Sequence, residues 1–158
     1  MALKGNRNIV ETDISFTLDD VAAPGVGLCY ETAGSGIALG DLSGDVQLAT
    51  SPSGLIFAGI LLTNVVDIDE TRYHRNFMKD EVTTGDRVTV LKKGWVVTDK
   101  VSGTPTAGDK AYLTTSGSFT PTLSTTGGLV ATPYAGRFES SKDEDGYARI
   151  SINLPNSI

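Results

Sequence analysis

Tyr147-Ala148-Arg149-Ile150-Ser151-Ile152-Asn153-Leu154 alternates without a break: Ala148, Ile150, Ile152 and Leu154 fall on one side, Tyr147, Arg149, Ser151 and Asn153 on the other. Period two is the pattern of a strand with one wet face. The turn Ser141 to Gly146 precedes it, and the same grammar of short apolar runs between turn residues extends back through the chain. Lys110 to Thr114, Ser118 to Thr120 and Tyr134 to Ser140 read as strands, as do Gly25 to Thr32 and Val46 to Thr50. Arg87 to Leu91 and Trp95 to Thr98 read as a hairpin turned at Lys92-Lys93-Gly94. Leu55 to Leu62 is the most apolar run, and its β-branched and aromatic content predicts a strand buried on both faces. No window of eleven or more residues has a helical period.

Composition agrees. The 158 residues include 18 glycines and a heavy load of Thr and Ser, and 39% are apolar. A chain of this length can bury roughly 70% of its unfolded surface, enough for one real core. The expected fold is all-β, a small barrel or sandwich with almost no helix.

Val10 to Leu18 also alternates, with Val10, Thr12, Ile14, Phe16 and Leu18 against Glu11, Asp13, Ser15, Thr17 and Asp19. It follows a polar, basic start and precedes the turn-rich stretch Asp20 to Gly27. The expected organisation is therefore an N-terminal arm over residues 1–20 and a single β-domain over residues 21–158. A second unusual segment, Asp67 to Lys79, mixes Asp67, Asp69, Glu70, Arg72, His74, Arg75 and Lys79 with Tyr73, Phe77 and Met78. Segments of this kind are often interaction loops.

Thirteen basic against 19 acidic residues give a formal charge of -6, which argues against broad binding of nucleic acid or an anionic membrane. No run approaches the roughly 18 apolar residues of a membrane span, and Met1 to Val10 has no apolar signal-peptide region, so an intracellular protein is expected. One cysteine, Cys29, permits neither an internal disulfide nor a cysteine-based zinc site, and reads as a small buried hydrophobe.

The chain offers little for catalysis. Its one imidazole, His74, lies between Tyr73 and Arg75, and no Ser occupies a Gly-x-Ser-x-Gly elbow. Gly25-x-Gly27 and Gly34-x-Gly36 lack the third glycine and helix of a phosphate cradle. Asp143-Glu144-Asp145-Gly146 fails the calcium-loop spacing, because Ile152 stands where a bidentate Glu belongs. Asp67, Asp69 and Glu70 are flanked by cations that suit salt bridging better than acid-base work. No cofactor and no metal are expected. Tyr73, Trp95, Tyr112 and Tyr134 could instead form a stacking platform, which keeps a sugar- or protein-binding β-sandwich open as an alternative.

Two resemblances bear on these alternatives. Gly85-Asp86-Arg87-Val88 resembles a stretch of trimeric dUTPases, without the accompanying substrate motifs. More extensively, the order Gly85-Asp86-Arg87-Val88-Thr89-Val90, Gly94-Trp95-Val96-Val97, Ala107-Gly108-Asp109-Lys110-Ala111-Tyr112-Leu113, Gly117-Ser118-Phe119-Thr120, Tyr134-Ala135-Gly136-Arg137-Phe138 and Gly146 through Leu154 resembles the capsid decoration, or cement, proteins of tailed bacteriophages. That resemblance covers about Leu55 to Leu154. It implies a small β-barrel or β-tulip domain and a virion protein assembled in the host cytoplasm. It further implies a homotrimer on the outer capsid surface that bridges major capsid protein subunits and has no direct nucleic-acid or membrane contact. In such proteins an N-terminal arm often adds to the shell's sheets, a role that would fall to Val10, Thr12, Ile14, Phe16 and Leu18. Arg72, Tyr73, His74, Arg75, Phe77 and Lys79 are the other expected partner contacts, though their segment matches no motif of the family.

Overall fold

A computed structural model describes residues 3–31, 44–48, 51, 54–64, 81–123 and 132–155. The described residues form nine strands: β1 (Asn8–Leu18), β2 (Gly27–Tyr30), β3 (Asp45–Gln47), β4 (Phe57–Asn64), β5 (Arg87–Thr98), β6 (Lys110–Leu113), β7 (Phe119–Thr120), β8 (Tyr134–Phe138) and β9 (Ala148–Asn153). Among the described residues the only helical element is a single 3-10 turn at Thr115–Gly117. The all-β expectation is met.

The strands form one mixed sheet in the order β1-β3-β2-β4-β5-β9-β8-β6-β7, and β5 also pairs with β1. That extra pairing bends the first five strands into a partial ring, which is not a formally closed barrel. The remaining four extend from β5 as a wing. β5 is the hinge of this plan. One edge pairs with β1 from Arg87 to Trp95; along the other, β4 pairs with residues 88–91 and β9 with residues 93–98.

Two cores follow from this branching. Phe16, Leu18, Leu28, Val46, Ala58, Leu61, Val88 and Val90 meet inside the ring. Cys29, Phe57, Ile60, Leu62, Leu91 and Val96 point the other way and are covered by wing residues such as Ala111, Phe119, Phe138, Ile150 and Ile152. The β2-β4-β5 layer is thus shared between two cores, which is why residues 57–62 are buried throughout, as their continuous apolar run predicts. β9 also follows its pattern, with Ala148, Ile150 and Ile152 buried and Asn153 exposed.

Two readings of the sequence need correction. Lys92-Lys93-Gly94 is not a hairpin turn: β5 runs straight through it for 12 residues. Gly94 is required there for a different reason. Its φ is +138°, and a Cβ would overlap the carbonyl oxygen of Asn8, so the glycine lets β1 approach. The second correction concerns β1, whose even-numbered residues do not share one face. Its pairing with β5 slips between Ile9 and Glu11, between Glu11 and Thr12, and between Asp13 and Phe16. Each slip resets the side-chain parity. Phe16 and Leu18 are buried, whereas Val10 and Ile14 are 60% and 56% exposed.

Candidate functional site

The last slip in β1 has a local cause. Asp13 Oδ1 accepts hydrogen bonds from the Ser15 N–H at 2.8 Å and the Ser15 hydroxyl at 2.5 Å, so a side chain takes over bonding that a regular ladder would supply. The strand bulges outward at Ile14. Ile9, Val10 and Ile14 therefore stand in solvent on one stretch of strand. β1 pairs with β5 along one edge, and β3 reaches its other edge only at Thr17 and Leu18; among the described residues no strand pairs with that edge from Asn8 to Phe16. Unpaired edge and exposed apolar side chains coincide there, which is the combination that recruits another chain.

A cleft of about 580 Å³ lies beside this strand, lined by Glu11, Thr12 and Asp13 together with residues that include Ile56, Tyr134 and Leu154. Lys92 forms part of its wall. Its ammonium donates to the Tyr30 hydroxyl at 2.9 Å and the Ala58 carbonyl at 2.6 Å, and lies 4.6 Å from the centre of the Phe16 ring and 5.1 Å from that of Tyr30. One side chain from β5 thereby touches β1, β2 and β4 at one end of the ring. Burial alone would raise the Asp13 carboxyl, but the Ser15 hydroxyl and N–H, with Lys92 nearby, hold it below the ordinary range. The cleft therefore presents the Asp13 carboxylate beside an apolar wall, and Ile56 at 67% exposure is the most exposed large apolar residue among those described.

Farther along β5 the chain start is fastened in place. Leu3 is buried and bridges to Thr98, and the Lys4 ammonium lies 3.0 Å from Asp143 Oδ2 and 4.2 Å from the centre of the Tyr147 ring. Asp143 also accepts from the N–H groups of Asp145 and Tyr147. The acidic turn that resembles part of a calcium loop is closed on its own backbone and on Lys4. Among the described residues, no cluster of three His, Cys, Asp or Glu side chains could hold a metal ion.

The remaining sequence candidates fall as follows. Val10, Thr12 and Ile14 are exposed, while Phe16 and Leu18 belong to the ring core. Arg72, Tyr73, His74, Arg75, Phe77 and Lys79, with the rest of residues 65–80, lie outside the described residues. Cys29 is fully buried, and burial pushes its thiol up to about 12. Trp95 is no open stacking platform, since the Arg149 guanidinium covers its ring at 3.8 Å and is itself paired with Glu139. Tyr112 and Tyr134 meet edge to face at 6.1 Å. Gly85-Asp86 is a turn in which the Asp86 carboxylate accepts from both the N–H and hydroxyl of Thr83. Asp109 does the same for Thr106, so Thr-x-Gly-Asp opens two strands in the same way. Sequence reading missed that repeat, although its spacing is visible, and it missed the cleft, whose walls come from six separate segments.

A family model described as a structural cement protein of phage (E217 gp24/Pam3 gp6) matches residues 5–153. No curated protein matches this chain.

Proposed function

Because the chain belongs to the phage structural cement protein family, a non-enzymatic component of the phage particle that binds and stabilises the capsid, we propose that it docks through the exposed half of β1. The observation that carries this reading is the coincidence of Ile9, Val10 and Ile14 in solvent with an unpaired strand edge among the described residues. A β-strand edge offers main-chain hydrogen bonds to any extended partner, and the apolar side chains add contact area without needing a pocket. The arm over residues 3–15 then lies along the domain, held on one edge by β5, with Val10, Thr12 and Ile14 as contacts, while Phe16 and Leu18 are buried in the ring core.

The protein works as a homotrimer on the outer surface of the head, bridging neighbouring major capsid protein subunits. Three copies of one modest footprint gain avidity because the second and third contacts form at high effective concentration. The charged segment Asp67 to Lys79, with Arg72, Tyr73, His74, Arg75, Phe77 and Lys79, is a second contact in this scheme.

Purified protein added to heads that lack it tests the reading, with binding followed by co-sedimentation and oligomeric state by light scattering. Wild-type protein is expected to run at three times the 16.6 kDa chain mass and to saturate the heads, whereas Val10→Asp/Ile14→Asp binds at least about tenfold more weakly. A monomer that never associates with heads overturns the proposal.

A further inference from the structure

We propose that the cleft beside β1 is a receptor for an extended, cation-bearing segment of the capsid shell protein, a Lys or Arg of that segment seating against Glu11 and Asp13 while its apolar neighbours cover Ile56 and Leu154. This deepens the docking reading above and rests on it.

Size, polarity and charge point to the same occupant. About 580 Å³ is the volume of a site that takes several side chains, and its wall combines the apolar residues Leu55, Phe57 and Leu154 with a few polar groups. Ile56 lines the cleft and is two-thirds exposed, so it adds apolar contact area that an occupant can cover. Among the described residues three charged side chains line the cleft: Glu11, Asp13 and Lys92. Two carboxylates against one ammonium leave these lining residues with an excess of one negative charge, and the Lys92 ammonium, bonded to Tyr30 and Ala58, makes no ion pair with Glu11 among the described contacts. Asp13 is further fixed by its two bonds from Ser15, a rigid carboxylate whose position does not depend on the partner. A cation from outside completes the arrangement.

A second copy of this chain is the wrong occupant on electrostatic grounds. Pairing two β1 strands antiparallel about Thr12 sets Glu11 directly opposite Asp13. Like charges facing each other across a ladder disfavour that pairing. The shell protein, which the cement protein has to grip, supplies the basic segment instead.

Ile56→Asp and Glu11→Gln test the cleft, because both residues are exposed and neither side chain belongs to a core cluster. Affinity for heads lacking the protein is measured by co-sedimentation at two salt concentrations, alongside thermal unfolding of each variant. Ile56→Asp is expected to bind about tenfold more weakly with an unchanged unfolding midpoint. Glu11→Gln is expected to bind several-fold more weakly and with a flatter salt dependence, as loss of a screened charge pair requires. Among 15-residue peptides tiled across the shell protein, one with a Lys or Arg between apolar residues is expected to displace wild-type protein from heads. Wild-type head binding by both cleft variants, while Val10→Asp/Ile14→Asp fails, sinks the cleft and leaves β1 docking standing. A fall in oligomeric mass of Ile56→Asp assigns the cleft to a second copy and also overturns the proposal. Failure of wild-type protein to bind heads at all removes the docking reading and the cleft with it.

Discussion

The ammonium of Lys92 donates to the hydroxyl of Tyr30 at 2.9 Å, and this bond joins the middle of β5 to the end of β2 across the mouth of the ring. The same nitrogen donates to Ala58 on β4 and lies over the Phe16 ring of β1, so four of the five ring strands converge on one cation. The position is also where β5 changes partner from β4 to β9, and the Lys92 carbonyl accepts from the Leu154 N–H that follows β9.

Lys92→Met keeps the length of the side chain and removes its charge and donors. Hydrogen bonds from charged groups contribute about 1.5 to 3 kcal/mol, and truncation leaves the Ala58 carbonyl short of a partner. The expected destabilisation of that size corresponds to a fall in midpoint of roughly 3 to 12 °C for a domain of this length. Calorimetry of the two proteins checks it, and an unchanged midpoint means the clamp contributes nothing.

Gly94→Ala is expected to cost more than an exposed glycine replacement elsewhere, such as Gly5→Ala. At Gly94 both the positive φ and the overlap with the Asn8 carbonyl work against any Cβ, whereas nothing lies within 4 Å of a Cβ at Gly5. Strain alone accounts for about 1 to 3 kcal/mol. Hydrogen exchange at Asn8 to Val10 should rise in the variant, since that is the part of β1 pushed away.

Burial places the Cys29 thiol at about 12, so it stays protonated and enclosed at ordinary pH. Thiol titration with an aromatic disulfide at about pH 8 should give no reaction in the native protein and one equivalent in guanidinium. Rapid native labelling means that β2 opens on the timescale of the assay.

Acidic groups pull stability in two directions. Glu31 and Asp45 are raised, first by desolvation and then by neighbouring carboxylates, Asp19 in both cases. A raised carboxyl favours folding in its protonated form, so that stabilisation is full below the ordinary carboxylate pKa and is lost as pH rises through the folded value. Asp109 and Asp143 are lowered, chiefly by backbone N–H groups of Thr106 and Tyr147, and their contribution is present at neutral pH and is lost as pH falls through their folded values. Asp45→Asn should therefore raise the unfolding midpoint at about pH 7 and give no gain at about pH 3, where the native carboxyl is already neutral. A gain that persists at the lower pH points to a packing effect instead.

How far the sequence carries the fold depends on whether local pattern and tertiary demand agree. At β9 they agree: strict alternation meets one core and one wet face, and the strand is legible to within a residue. At β4 the unbroken apolar run states burial on both faces, but not that two separate cores cause it. At β5 local chemistry misleads, because Lys-Lys-Gly is an ordinary turn signal and the need for Gly94 comes from Asn8, 86 positions away. The cleft was illegible for the same reason on a larger scale, since Glu11, Ile56, Lys92, Tyr134 and Leu154 share no window of sequence. Exposure of Val10 and Ile14 could not be read either, since alternation predicts them inside with Phe16.

Phe16 and Ile14 are two residues apart in one strand, and regular period two would give them the same environment. The Asp13-Ser15 hydrogen bonds and the register slip between Asp13 and Phe16 separate them instead, leaving Phe16 7% exposed and Ile14 56% exposed. Phe16→Ala removes a ring that meets Tyr30 edge to face at 5.7 Å and underlies Lys92, so a loss of about 3 to 5 kcal/mol is expected. Ile14→Ala should change stability by no more than about 0.5 kcal/mol, because its side chain is already in water. Urea unfolding of the two variants reads the difference directly. Comparable losses at both positions mean that β1 is a regular strand with Ile14 turned inward, and that the exposed apolar edge on which docking depends does not exist in solution.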